Sequence, residues 1–87
     1  MKTKSTGKST ISIISYGSYH EFLNHFPNAN LAVEQAKAIE TLIDGGQFEF
    51  SMEDWQDLYD GDYAALALGR LVKNKVVSKN GSYYVFN

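Results

Sequence analysis

Apolar side chains recur at intervals of three and four residues along four stretches of the chain, which is the spacing of one face of an α-helix. The pattern predicts helices at about 18–26, 31–44, 52–59 and 63–74. Ser18 and Ser51 each stand three residues before an acidic side chain, a pattern that caps the start of a helix. Asn30 can cap the second helix, and Gly45 followed by Gly46 can end it.

Shorter apolar runs predict strands between and after these helices. Ile11–Ser15 is rich in β-branched side chains and partly alternates, so it predicts a short strand. Phe48–Phe50 alternates apolar and acidic positions and predicts another.

The clearest local signal is a β-hairpin near the C-terminus. Two segments with β-branched or aromatic side chains, 75–79 and 82–86, flank the dipeptide Asn80-Gly81. Because Asn and Gly tolerate positive φ, this dipeptide predicts a two-residue type I′ turn. The predicted register places Val77 opposite Tyr84, with Val76 opposite Val85.

The aromatic side chains are concentrated in the second half of the chain. Among them are Trp55, Tyr59, Tyr63 and the aromatic-rich run Tyr83–Phe86. Such rings can stack on nucleic-acid bases, but a small domain needs them in its core, so we expect them to be buried.

A chain of 87 residues fits one small domain. We expect a basic, polar tail at 1–10 and a single domain at 11–87, with residues 11–27 as its N-terminal strand-helix extension. The sequence has no cysteine, which excludes a disulfide framework, a thiolate metal site and a cysteine nucleophile. No apolar run reaches the ~18–20 residues of a membrane helix, so we expect a cytoplasmic protein with no membrane partner.

The formal net charge of −2 is a cancellation between segments of opposite sign. Residues 34–62 carry nine acids and one lysine, a charge of −8. Residues 63–87 carry four bases and no acid, a charge of +4, and the first 33 residues carry +2. This segregation predicts an acidic face and a basic face, each able to attract a different partner.

From residue 31 the predicted order is helix, short strand, helix, turn, helix and two-stranded hairpin. The segments that carry this order are FEF, SMEDWQDLYDGDYAALALGRLVKNKVV and SKNGSYYVF. Over residues 31–87 the chain resembles the winged helix-turn-helix superfamily. The resemblance implies an α+β fold: three helices and a small antiparallel sheet with a C-terminal wing hairpin, to which the strand at Phe48–Phe50 adds.

The resemblance implies a transcriptional or recombination regulator that binds double-stranded DNA. The helix at 62–74 would enter the major groove, and the wing at 78–82 would contact the backbone or minor groove. The residues at matching positions with suitable chemistry are Arg70, Lys73, Asn74, Lys75, Lys79 and Ser82. Arg and Asn can read guanine and adenine edges, whereas Lys and Ser pair with phosphate.

Three further lysines, Lys2, Lys4 and Lys8, can form a basic arm. If all seven Lys and Arg side chains named here neutralised phosphates, log K would fall with log salt at a slope of about −6. We also expect a homodimer, because one small module has limited specificity. The small size is typical of a phage, plasmid or accessory-gene product.

The acidic segment supports a second hypothesis, a protein interaction module or inhibitor. Its acids nearest the predicted recognition helix are Glu53, Asp54, Asp57, Asp60 and Asp62. Acids at this position would repel DNA phosphates, whereas they would attract a protein partner with a basic surface and could imitate the phosphate charge of nucleic acid. The sequence leaves the two hypotheses open.

Two apparent chemical motifs carry little weight. Thr6–Thr10 resembles the end of a phosphate-binding loop, but Lys2 stands where that motif requires its first glycine. His20 and His25 are five residues apart, a spacing that does not place them on one helix face. With no visible serine or paired-carboxylate active site, we expect no enzyme activity, no metal and no cofactor.

Overall fold

A computed structural model describes residues 13–87 of the chain. Its order of elements is α1 (Tyr19–His25), α2 (Val33–Asp44), β1 (Glu49–Ser51), α3 (Met52–Leu58), α4 (Ala64–Lys73), β2 (Val77–Asn80) and β3 (Tyr83–Phe86). These residues form an α+β fold with four helices and a three-stranded antiparallel sheet, so the predicted class is confirmed. The predicted tail at 1–10, with its basic arm and the Thr6–Thr10 segment, lies outside the described residues.

Both predicted serine caps are confirmed. The Ser18 Oγ accepts a hydrogen bond from the backbone N–H of Glu21, at 3.1 Å. The Ser51 Oγ accepts from the N–H of Asp54 at 3.1 Å, and the Asp54 carboxylate accepts from the N–H of Ser51 at 3.0 Å. Each cap satisfies backbone donors that have no partner inside the helix, and so fixes where α1 and α3 begin.

The prediction that Asn30 caps α2 is wrong. The N-cap is Ala32, whose N–H donates to the side-chain oxygen of Gln35 at 2.9 Å. At the other end, Gly46 has a φ of 72°, Gly46 N–H donates to Ile43, and Gln47 N–H donates to Leu42. This pair of bonds is a Schellman motif, which confirms the predicted glycine stop.

The strand predicted at Ile11–Ser15 is wrong for its described part, because residues 13–15 are outside any strand. The neighbouring Tyr16 anchors this segment instead: its side chain is buried, and its hydroxyl donates to the backbone carbonyl of Asn87. Burial and the charge of Glu21 raise the pKa of the Tyr16 hydroxyl above its usual value of 10.0. The Tyr16 side chain, rather than a backbone ladder, therefore joins the segment 13–16 to the end of the sheet.

The strand order of the sheet is β1-β3-β2, so β1 pairs with the hairpin as predicted. The predicted hairpin register is wrong by two residues. Val77 lies opposite Phe86, and Lys79 lies opposite Tyr84. The turn is therefore Gly81-Ser82, and positive φ at Gly81 (65°) without positive φ at Ser82 is the pattern of a type II′ turn.

The core is aromatic and continuous across the extension and the sheet. Phe22 of α1 meets Phe86 of β3 with ring centroids 5.6 Å apart, and Phe50 of β1 lies 5.4 Å from Phe86. Trp55 of α3 stacks on Phe50 at 6.0 Å. All four side chains are fully buried, so residues 13–27 share one core with the rest of the described chain.

Two tyrosines depart from the expectation that the aromatic side chains lie in the core. Tyr63, just before α4, is 72% exposed, and Tyr83 at the start of β3 is 49% exposed. Trp55 and Tyr84 are buried as predicted, and Tyr59 is half-buried. The exposed rings are therefore available to a binding partner.

Candidate functional site

Helix α4 is held against the domain by its inner face and by two hydrogen bonds, one buried and one partly buried. Leu68 and Leu71 are buried in the core. The indole N–H of Trp55 donates to the carbonyl of Ala64 at 2.8 Å, and the Gln35 amide donates to the carbonyl of Ala67 at 3.0 Å. These contacts fix which side of α4 faces outward.

The outer face of α4 changes in character along the helix. Its exposed residues, in chain order, are Ala65, Leu66, Gly69, Arg70 and Lys73. The first half presents small or apolar groups, with Leu66 55% exposed, and only the second half presents cations. The N-cap of α4 is Tyr63, and no side chain caps this helix.

The end of α4 repeats the Schellman motif of α2, but with a lysine in the left-handed position. Lys75 has a φ of 66°, its N–H donates to Val72 at 3.0 Å, and the N–H of Val76 donates to Leu71 at 3.0 Å. A side chain in this conformation costs roughly 1–2 kcal/mol, because its Cβ crowds the following carbonyl. Lys75 therefore places its charge at the junction between α4 and β2 at a local conformational cost.

The residues predicted to bind DNA lie on the outer face of α4, in the turn that follows it, and on the wing hairpin. Arg70 and Lys73 lie on the outer face of α4, while Asn74 is its C-cap and Lys75 follows in the turn. Lys79 is exposed on β2, and Ser82 is the second residue of the hairpin turn. Four of the six cluster at the end of α4, whereas Lys79 and Ser82 lie toward the tip of the wing.

One of the five acids predicted to form an interaction face has a structural role, and the other four are exposed. Asp54 is half-buried, and its carboxylate accepts hydrogen bonds from Ser51 and from the Gln47 side chain. The remaining four acids, Glu53, Asp57, Asp60 and Asp62, are exposed on α3 and in the turn before α4. Across residues 13–87, ten acids against five bases give a formal charge of −5.

A cleft of about 840 Å³, which the sequence patterns did not predict, opens beside α4. One wall is the 26–32 connection between α1 and α2, and the other is Tyr59, Tyr63 and the Leu66–Arg70 side of α4. The connection and the helix are some 40 positions apart in the sequence, and no motif marks either as part of a site.

The lining of this cleft combines apolar and aromatic side chains with polar groups, which contribute about as much of its surface. Arg70 is the only Lys, Arg, Asp or Glu among the described residues that line it. His25 contributes an imidazole, and Asn28, Asn30 and Asn74 contribute amides. Gln35 lies at the base of the cleft with both amide atoms engaged by the backbone. The cleft thus differs from the rest of a surface that is rich in acids.

The described part of the chain contains neither a cluster of metal-ligating side chains nor a helix of membrane-spanning length. His20 and His25 are both exposed, and no group of three or more metal-ligating side chains occurs within residues 13–87. The longest helix of these residues, α2, has 12 residues, and none is long and apolar enough to cross a membrane.

Comparison with known proteins gave no relative. No protein-family model, no curated protein and no solved structure matches this chain.

Proposed function

We propose that this chain is a winged-helix DNA-binding protein that contacts the duplex through the end of α4 and the hairpin. The observation that carries the proposal is the charge of residues 63–87, which have four exposed cations and no acid. The helix pair α3–α4, followed by a hairpin whose β3 strand pairs with β1, is compatible with a winged-helix arrangement. The chemistry fits phosphate contacts, which supply most of non-specific affinity.

The distribution of charge restricts how DNA can approach. Glu53 and Asp57 on α3, with Asp62 before α4, would repel phosphates near the first half of α4. Arg70 and Lys73 in the second half, with Lys75 and Lys79, would attract them. We therefore propose that the end of α4 and the wing meet the duplex, with Arg70 as the side chain best suited to read a base.

Fluorescence anisotropy with a short labelled duplex, over a series of salt concentrations, tests this proposal. Phosphate contacts by Lys73, Lys75 and Lys79 predict a slope of about −2.7 in log K against log salt. Lys73→Gln should weaken binding and reduce the slope by about one. Lys37→Gln, which removes an exposed cation from α2, is the matched control and should leave both unchanged. Absence of binding at low salt, or equal effects of the two variants, would contradict the proposal.

A second candidate function is docking on a basic protein surface. The observation that favours it is the set of four exposed acids on α3 and the following turn, Glu53, Asp57, Asp60 and Asp62. A partner captured at low salt should be released at high salt and lost when these four acids become amides. Neutralising Glu34, Glu40 and Asp44 of α2 is the control, and capture that depends equally on both sets would refute a specific face.

A further inference from the structure

The cleft beside α4 has the dimensions of a small-molecule site. Its volume of about 840 Å³ falls in the range of roughly 300–1,000 Å³ that is typical of pockets for organic ligands. Gln35 keeps the base of the cleft formed, because its amide bonds Ala32 at 2.9 Å and Ala67 at 3.0 Å. The walls therefore do not have to assemble when a ligand arrives.

The cleft also exposes apolar surface to solvent. Tyr63 is 72% exposed and Leu66 is 55% exposed, and both side chains line the cleft together with Phe26. A ring or branched hydrocarbon between these groups would remove their surfaces from water, which is a favourable transfer. The preferred occupant therefore has an apolar body.

The charge of the lining indicates which polar group the ligand carries beside its apolar body. The described residues include ten acids, yet none lines this cleft. Arg70 is the one permanently charged side chain among the described residues of its lining, which also includes His25. A guanidinium pairs with a carboxylate through two parallel hydrogen bonds, so one arginine suffices for one carboxylate. The amides of Asn30 and Asn74 add neutral donors to the same lining.

We infer that this cleft binds a small organic carboxylate with an aromatic or branched apolar body, whose carboxylate pairs with Arg70. The apolar body packs against Phe26, Tyr63 and Leu66. The inference does not depend on DNA binding, since it needs only the cleft and its one cation.

Isothermal titration with a matched pair of probes tests this site. 1-Naphthylacetate carries the ring and the carboxylate, and 1-naphthylacetamide carries the same ring without the charge. The carboxylate should bind about tenfold more tightly than the amide, because a charged hydrogen bond is stronger than a neutral one. Arg70→Gln should remove this difference, while the ring still contributes weak binding of both probes.

Lys73→Gln is the matched control for charge, because Lys73 is exposed on the same helix and does not line the cleft. It should preserve the tenfold preference. Ala32→Phe should weaken both probes, because Ala32 is exposed at the rim and a ring there would occupy part of the cleft. Equal binding of the two probes to the wild-type chain, binding of neither, or an Arg70→Gln variant that retains the preference would overturn the inference.

Discussion

Gly69 lies in the middle of α4, at a position where a side chain would cost nothing in space. It is exposed, and a Cβ built on it meets no atom within 4 Å. Glycine in a helix interior is less favourable than alanine by about 0.8–1.0 kcal/mol, because it loses more backbone freedom on folding. No packing change offsets this difference, so Gly69→Ala should raise the free energy of unfolding by about 1 kcal/mol.

Circular dichroism can measure the effect of Gly69→Ala during thermal and urea unfolding. For a domain of this size, about 1 kcal/mol corresponds to a rise in Tm of roughly 4–8 °C. The urea midpoint should rise while the slope m stays constant, because the surface exposed on unfolding is unchanged. Gly61→Ala is the control and should not stabilise, since its Cβ would lie 2.9 Å from the Tyr59 ring.

An unchanged or lower Tm for Gly69→Ala would show that the helix does not continue through Gly69 as described. The same variant also tests the function of the outer face. If a duplex or a protein packs closely on this face, the added methyl group should weaken binding while the fold becomes more stable. Opposite changes in stability and affinity would locate the contact at this residue.

Further predictions concern individual side chains and the cleft ligand. Lys75→Gly should raise the free energy of unfolding by about 1 kcal/mol in urea melts, because glycine adopts a φ of 66° without strain; a loss of stability would refute the strain argument. Since the pKa of Tyr16 is raised on folding, its contribution to stability is complete below pH 10.0 and lost as the pH rises through the folded pKa. Tyr16→Phe should therefore flatten the alkaline decline in stability, and an unchanged pH profile would contradict this assignment. Trp55→Phe should lower stability by roughly 1–3 kcal/mol in urea melts, because the carbonyl of Ala64 loses a 2.8 Å hydrogen bond and the smaller ring leaves space; an unchanged midpoint would refute this role. If Arg70 serves both proposed ligands, 1-naphthylacetate should weaken duplex binding in anisotropy titrations and 1-naphthylacetamide should not; equal effects of the two would refute the shared role.

The helices and their starts could be predicted because the signals are local. Apolar spacing defines each helix, and Ser18 and Ser51 act within three residues of their partners. The predicted cap of α2 at Asn30 was wrong. The helix begins after Ala32 instead, and the side chain of Gln35, three residues further on, accepts a hydrogen bond from the N–H of Ala32. A side chain that reaches back from within a helix is harder to recognise in the sequence than a serine that directly precedes the helix.

The hairpin register could not be resolved from alternation alone. A shift of two residues leaves every side chain on the same face, so the apolar pattern fits both registers equally. The observed register brings Phe86 opposite Val77 inside the ladder, where both are buried. In this register Phe86 packs against Phe22 and Phe50. These contacts join residues far apart in the sequence, so local alternation does not reveal them.

The strand predicted at Ile11–Ser15 and the cleft show the limit of local reasoning. β-Branched composition favours a strand, but it does not supply a neighbouring strand edge. The contact that anchors this segment joins Tyr16 to Asn87, 71 positions away. The cleft likewise combines the 26–32 connection with α4, so its charge and shape exist only after folding.

The Gln35 amide has a consequence for selectivity. Its oxygen is bonded to the start of α2 and its nitrogen to the middle of α4, at 2.9 and 3.0 Å, so one rigid planar group spans both helices. Widening the base of the cleft would break a buried hydrogen bond, which costs roughly 1–3 kcal/mol. The amide therefore fixes the separation of the two helices at the base of the cleft, and a ligand that binds without widening this base should be preferred to one that must widen it.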